Sequence, residues 1–288
     1  MITASLVNEL RKKTSVGMME CKKALTETNG DIEAAVIYLR ERGMMKAAAK
    51  ADREATEGII AARLSADGKS GILIEVNCET DFVSRNDSYV KFVDQIADTL
   101  AASSAKNLEE ALAEQIDGLA VEDFVKAKTL ELGENIRLRK FERFDLQDGG
   151  AIAQYIHMGG KVGVLLEVGA ASGETAAKEG FRDLVKDITL HIAAQAPKGL
   201  SRDDIAPELV EAEKDIFRVQ LANDGKPAEM IEKIILGKLG KFFAESCLLE
   251  QAFVKDPEST IKKLVEQAGK DLGDTLVVRR FTRFGLGE

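Results

Sequence analysis

Two histidines, three cysteines and one cluster of carboxylates are the groups in this 288-residue chain that invite a catalytic reading. His157 falls in a run with strand character and His191 in a run with helical character, and neither belongs to an H-x-x-x-H or C-x-x-C pair that would offer a metal site. Lone histidines of this kind serve packing and hydrogen bonding more often than catalysis. Cys21, Cys78 and Cys247 are odd in number and far apart, so they build neither a disulfide framework nor a zinc site, and they read as thiols of a reducing compartment. Glu75, Glu79, Asp81 and Asp87 could hold a pair of carboxylates for acid–base work. Local sequence, however, puts no histidine, lysine or nucleophile beside them. Met158-Gly159-Gly160-Lys161-Val162-Gly163 has the wrong spacing for a phosphate loop and lacks its hydroxyl. These residues therefore point away from an enzyme. No cofactor, no metal and no nucleotide bound by the chain itself are expected.

Charge and hydropathy narrow the partners. The net charge of −9 argues against a nucleic-acid binder that relies on phosphate contacts. Residues 1–54 carry ten Lys/Arg against eight Asp/Glu, and the remainder carries the acidity. Arg11-Lys12-Lys13 and Lys22-Lys23 read as solvated faces. No run approaches 18 apolar residues, so no membrane span is expected, and Met1–Ser5 has no basic segment leading into an apolar one. A cytoplasmic location follows as the expectation.

What must position the candidate residues is an internal duplication. Gly58-Ile59-Ile60-Ala61 aligns with Gly150-Ala151-Ile152-Ala153 at an offset of 92, and Lys69–Val76 aligns with Lys161–Val168 at the same offset. The offset then jumps to 140, pairing Leu132-Gly133-Glu134 with Leu272-Gly273-Asp274 and Arg139–Phe144 with Arg279–Phe284. The second copy thus carries 48 extra residues. Each copy is expected to hold two strands (58–64 and 71–78; 150–157 and 162–169) joined by a turn at Asp67-Gly68 or Gly159-Gly160. An amphipathic helix follows, marked by Val93, Ile96 and Leu100 or by Val185, Ile188 and Ile192. A third strand closes the copy. In that strand the apolar phase switches between Leu138 and Phe141, and between Val278 and Phe281, which predicts a β-bulge in both copies. Antiparallel strands with helices laid on one side make an α+β fold.

The extra residues read as a helical hairpin. Ile205, Leu209, Ala212, Ile216 and Val219 are spaced as a heptad seam, Asn223–Pro227 is a turn, and Ile231, Ile235, Leu239 and Phe242 return. Two helices of about 19 residues would each reach roughly 28 Å. Periodicity leaves open whether this arm is a self-contained antiparallel pair or a surface for a homodimer. Residues 3–43 read as three short helices, with a break at Thr14–Met18 and Asp31 as an N-cap. Such a unit looks like a ubiquitin-associated-type module, or a helical cap on the body. Ala47–Ala51 reads as a linker helix. The expected division is residues 1–54 for the N-terminal module, 55–145 for the first core subdomain, 146–203 and 247–288 for the second, and 204–246 for the arm.

One loop breaks the repeat. Val76-Asn77-Cys78-Glu79-Thr80-Asp81-Phe82-Val83 ends in an acid and an aromatic where the second copy has Gly169–Ser172 and then Gly173-Glu174-Thr175. A duplicated scaffold with one altered loop suggests that this loop does work the scaffold does not need, although Phe82 could also pack under a helix that Asp81 caps. Glu75–Val83, together with Gly17–Leu25 and Asn29–Ala35, resembles the two signature segments of the elongation factor Ts family, and the resemblance runs over nearly the whole chain. It implies an α+β protein with a ubiquitin-associated-like module, a duplicated core and a coiled-coil arm. It also implies elongation factor Tu as the partner, with Thr80, Asp81, Phe82 and Val83 entering that partner near its magnesium to promote release of GDP. The N-terminal module would grip the same partner domain. The further C-terminal helical module of some members has no counterpart before Glu288. Two other readings stay open: a ubiquitin-associated-type adaptor without exchange activity, and a ribosome- or RNA-associated factor.

Overall fold

The computed structural model describes residues 2–14, 16, 18–48, 53–225 and 227–288. The expected linker helix at Ala47–Ala51 lies largely outside these residues, as do Ser15 and Gly17 of the first break and Lys226 of the arm turn.

Three helices open the chain: α1 (Ala4–Thr14), α2 (Met18–Glu27) and α3 (Ile32–Ala48). Their apolar positions converge on a small core of Val7, Leu10, Cys21, Ala24, Leu25, Ala35 and Leu39. Asp31 caps α3, its Oδ1 accepting the Ala34 N–H at 3.0 Å, which supplies one of the partners a helix start otherwise lacks.

The body contains two antiparallel three-stranded sheets. The first is ordered β1 (Glu57–Leu64), β2 (Ser70–Cys78) and then β5 (Arg137–Asp145). Between β2 and β5 run the one-turn α4 (Asp81–Ser84), α5 (Asp87–Ala102), α6 (Leu108–Ala113), a short hairpin of β3 (Gln115–Ile116) and β4 (Leu119–Ala120), and α7 (Val121–Leu132). The second sheet has β6 (Gly150–His157) and β7 (Val162–Ala170), with α8 (Glu179–Gln195) following. Then come α9 (Pro207–Asn223) and α10 (Ala228–Ser246), the hairpin β8 (Ala252–Phe253) and β9 (Asp256–Thr260), α11 (Ile261–Leu272), and β10 (Leu276–Gly285), which pairs with β7. Mixed helix and antiparallel strand define an α+β chain. The hairpins β3–β4 and β8–β9, with α7 and α11 after them, are elements the strand–helix–strand reading did not contain.

The period-2 pattern explains the layers. On β2, Ile72, Ile74, Val76 and Cys78 face a core completed by Tyr89, Val93, Ile96 and Leu100 of α5. On β7, Val164, Leu166 and Val168 face Phe181, Val185, Ile188 and Ile192 of α8. The opposite faces meet each other, where Ile60, Leu73 and Phe144 of one sheet pack on Ile152, Leu165 and Phe284 of the other. Gly71 and Gly163 permit this approach, since a Cβ on Gly163 would lie 2.4 Å from Ile60 Cγ2 and 2.7 Å from Leu73 Cδ1.

Both expected bulges are present. Glu75 pairs with Lys140 but Val76 with Leu138, leaving Arg139 as the extra residue. Glu167 pairs with Arg280 but Val168 with Val278, leaving Arg279. Leu138 and Phe141 thereby face the same core despite their opposite parity.

The bulges also place charge. Glu75 and Glu167 are fully buried. Arg139 Nη1 lies 2.9 Å and Lys140 Nζ 3.0 Å from the Glu75 carboxylate. Arg279 Nη1 lies 3.0 Å and Arg280 Nε 2.7 Å from that of Glu167. Each carboxylate also accepts one backbone N–H from the tail of the other repeat, Gly287 N onto Glu75 at 3.1 Å and Gln147 N onto Glu167 at 3.2 Å. The cations cross over as well, with Arg280 above the Phe144 ring and Lys140 above the Phe284 ring.

The arm helices pack antiparallel, but through a different seam from the one expected. Leu209, Val210, Phe217 and Leu221 of α9 meet Ile231, Ile235, Leu239 and Phe242 of α10. Ala212, Ile216 and Val219 face outward, Ile216 at 48% and Val219 at 62% exposure. Ile205 is buried, but it follows the 3-10 turn Arg202–Asp204 and precedes the helix, which starts with Pro207 in its first turn.

Candidate functional site

The loop that breaks the repeat begins where β2 ends, at the buried Cys78. Two backbone N–H groups there would have no strand partner. Glu134 takes both: Glu79 N and Thr80 N donate to its Oε2 at 3.1 and 3.0 Å, and the Thr80 hydroxyl donates to Oε1 at 2.6 Å. Thr80 in turn caps α4 from an extended conformation (φ −128°, ψ 154°), its Oγ1 accepting the Val83 N–H at 3.4 Å. The neighbouring residues return the clasp, with Asn135 N donating to Glu79 Oε1 at 2.6 Å.

On this base the four expected site residues separate by role. Thr80 is the cap. Val83 packs half-buried against the first core. Asp81 pairs with Arg85 at 2.9 Å, both side chains reaching solvent. Phe82 is 85% exposed, so it does not pack under the helix. Nor does Asp81 cap the turn; Thr80 does. A large aromatic left in water on a one-turn helix gains nothing for the free protein.

The other candidates disperse. Glu75 lies on the inter-sheet face of β2, held by its cations. Glu79 is clasped to Asn135, and Asp87 starts α5 behind its own cap, Asn86. The carboxylate cluster of the linear sequence therefore does not converge into an acid–base pair. Burial pushes the thiol of Cys78, and that of Cys247, up to about 11, so both stay protonated at neutral pH. His191 is fully buried in α8; its Nδ1 accepts the Val254 N–H at 3.3 Å, so Nε2 carries the proton and donates to Gln251 Oε1 at 2.9 Å. Burial lowers its pKa and keeps it neutral. His157, exposed at the end of β6, is 2.9 Å from the Tyr155 hydroxyl. Among the described residues no group of three His, Cys, Asp or Glu could hold a metal ion, and no helix is long and apolar enough to cross a membrane.

Glu134 was not singled out by its sequence, yet a signal for it existed. The repeat aligns it with Asp274, and Asp274 accepts the Ala171 and Ser172 N–H groups at 3.2 and 3.0 Å, the counterparts of Glu79 and Thr80.

The tip is thus a backbone-anchored turn that exposes one aromatic and one acid. The comparisons agree on one family. The family model described as elongation factor TS matches residues 79–288. An elongation factor Ts of Trichlorobacter lovleyi is 43% identical over 290 residues, covering all of this chain and 93% of the relative. One of Clostridium perfringens is 44% identical over 289 residues (100% and 94% covered), and one of Halothermothrix orenii 45% over 285 residues (98% and 91%). The chain belongs to the elongation factor Ts family of translation elongation factors.

Proposed function

We propose that this protein is the guanine nucleotide exchange factor for elongation factor Tu, acting in the cytoplasm by inserting the Asp81–Phe82 tip beside the partner's magnesium. The observation that carries the reading is the exposure of Phe82 on a turn held by Glu134, in a chain of this family. Phe82 acts as the wedge, entering an apolar gap that excludes water, as buried aromatic anchors do at protein interfaces. Asp81 brings negative charge to a site where magnesium offsets the phosphates, weakening the metal's hold. Its exposed pair with Arg85 is worth little and opens readily. Val83 and Thr80 keep the wedge rigid. The N-terminal module, with Met18 and Met19 exposed at the start of α2, adds a second grip on the same partner. By linkage, a factor that lowers GDP affinity binds more weakly when GDP is present. Each tenfold loss of GDP affinity takes about 1.4 kcal/mol from the new protein–protein contacts.

The test is release of fluorescent GDP from purified elongation factor Tu at fixed magnesium. Release should accelerate with added protein and saturate. A rate that stays at the spontaneous value at all concentrations would leave the adaptor reading instead.

A further inference from the structure

We propose that Glu134, 54 residues away in sequence from the loop it holds, is the positioning residue of the wedge, acting on exchange only through the geometry of Phe82. This rests on the exchange reading above. A single helical turn such as α4 has no stability of its own, because nucleation fixes several dihedrals for one hydrogen bond. Something outside it must set its direction. The Glu134 carboxylate takes three donors, from Glu79 N, Thr80 N and the Thr80 hydroxyl. With its proton committed to Glu134, the Thr80 oxygen presents a lone pair to the Val83 N–H and starts α4. Phe82 is the second residue of that turn, so its direction follows from the orientation of Thr80.

Glu134 is itself fixed from the other side. It follows Gly133, the left-handed end of α7 (φ 79°), whose N–H bonds the Thr129 carbonyl. It precedes Asn135, which donates its N–H to Glu79 and its side-chain amide to the Arg53 carbonyl at 2.8 Å. The second copy shows what the scaffold does alone. Asp274 grips the corresponding N–H pair, but the loop above it carries no aromatic. The first copy has placed its wedge on a grip that both copies share.

The experiment has an arm that needs no partner. In the free protein, Glu134→Ala should speed amide hydrogen exchange at Glu79, Thr80 and Val83 by at least about tenfold, the scale of a lost hydrogen bond to a charged group. Amides of β2 and α5 should keep their protection and the melting temperature should stay near native. Unchanged exchange at the loop would overturn the proposal. The second arm is a cycle of Glu134→Ala, Phe82→Ala and the double variant in the GDP-release assay. Glu134→Ala should slow release about tenfold, and the double variant should be no slower than Phe82→Ala alone. Losses that multiply would show that Glu134 acts independently of Phe82 and would overturn it too. Glu134→Gln, which keeps the side-chain shape and one acceptor oxygen, carries both arms if Glu134→Ala does not fold. If the wild-type protein fails to accelerate release, the exchange reading falls, while the amide arm still decides whether Glu134 holds the loop.

Discussion

Glu75 shows how much of a residue's role is decided by partners far away in sequence. A buried carboxylate costs several kcal/mol unless charge and hydrogen bonds surround it. Burial alone would raise its pKa, but the Gly287 N–H, Lys140, Asn77 and Arg139 outweigh that and hold it below the usual carboxylate value; Glu167 is lowered the same way by Arg279, Arg280 and Gln147. A depressed folded-state pKa stabilises the fold above the unfolded value and is lost as pH falls through the folded one. Stability should therefore decline as pH drops below about 4.3, the unfolded glutamate value. Glu75→Gln should cost about 3 kcal/mol at neutral pH and flatten part of that acid dependence, both read by denaturant titration across pH. An acid dependence as steep in the variant as in the wild type would contradict this role. The sequence grouped Glu75 with Glu79, Asp81 and Asp87 because they are neighbours along the chain. Its actual partners, Arg139 and Gly287, are 64 and 212 residues away. Phe82 differs: its uniqueness between the copies was legible, but whether it faced core or water was not, because that depends on Glu134.

At the scale of elements, patterns with a strong apolar period were readable. The paired strands, α5, α8 and both bulges follow from positions such as Leu138 and Phe141 whose phase cannot otherwise be reconciled. The helices absent from the sequence reading also carry apolar stripes at helical spacing, Val121, Phe124, Val125 and Leu132 in α7 and Ile261, Leu264, Val265, Ala268 and Leu272 in α11. Their period was legible; a copy read as three strands and one helix left no place for a second helix. The arm was legible as a hairpin, but its seam was out of phase. A heptad counted from Ile205, which is buried yet lies before the helix, keeps Leu209 on the seam but turns Ala212, Ile216 and Val219 toward solvent. Two substitutions separate the frames. Phe217→Ala, on the observed seam, should cost about 2 kcal/mol because the side chain is only half-buried. Val219→Ser, on the discarded one, should stay within about 0.5 kcal/mol of wild type. Thermal melts of both variants check this, and a larger loss for Val219→Ser would reverse the assignment.

The whole molecule is tied together by exchange between the repeats. Each sheet's buried glutamate, paired with cations of its own sheet, takes a further N–H from the other repeat's tail, and each sheet's cation covers the other's phenylalanine, so neither sheet satisfies its buried carboxylate alone. Sequence pointed to a duplication through its offsets. It could not reveal this crossing, which exists only once the two inner faces meet over Gly71 and Gly163. Deleting Leu286–Glu288 should therefore weaken the first sheet, which contributes none of the deleted residues. It removes the Gly287 N–H from Glu75 and the Glu288 carbonyl that Lys140 reaches at 2.8 Å, a loss of about 1–3 kcal/mol. Hydrogen exchange should show β2 and β5 losing protection together with β10. Loss confined to β10 would mean the tail is only a local end.

Phe82→Ala tests the central claim most directly, with melting temperature and catalysed GDP release measured on the same sample at fixed magnesium. A buried phenylalanine would cost about 3–5 kcal/mol of stability when truncated, whereas an exposed wedge should cost almost none. The expected result is a near-native melting temperature with release slowed at least about tenfold, equivalent to roughly 1.4 kcal/mol in the barrier. A variant that melts several kcal/mol less stable, or that releases GDP as fast as the wild type, would contradict the account.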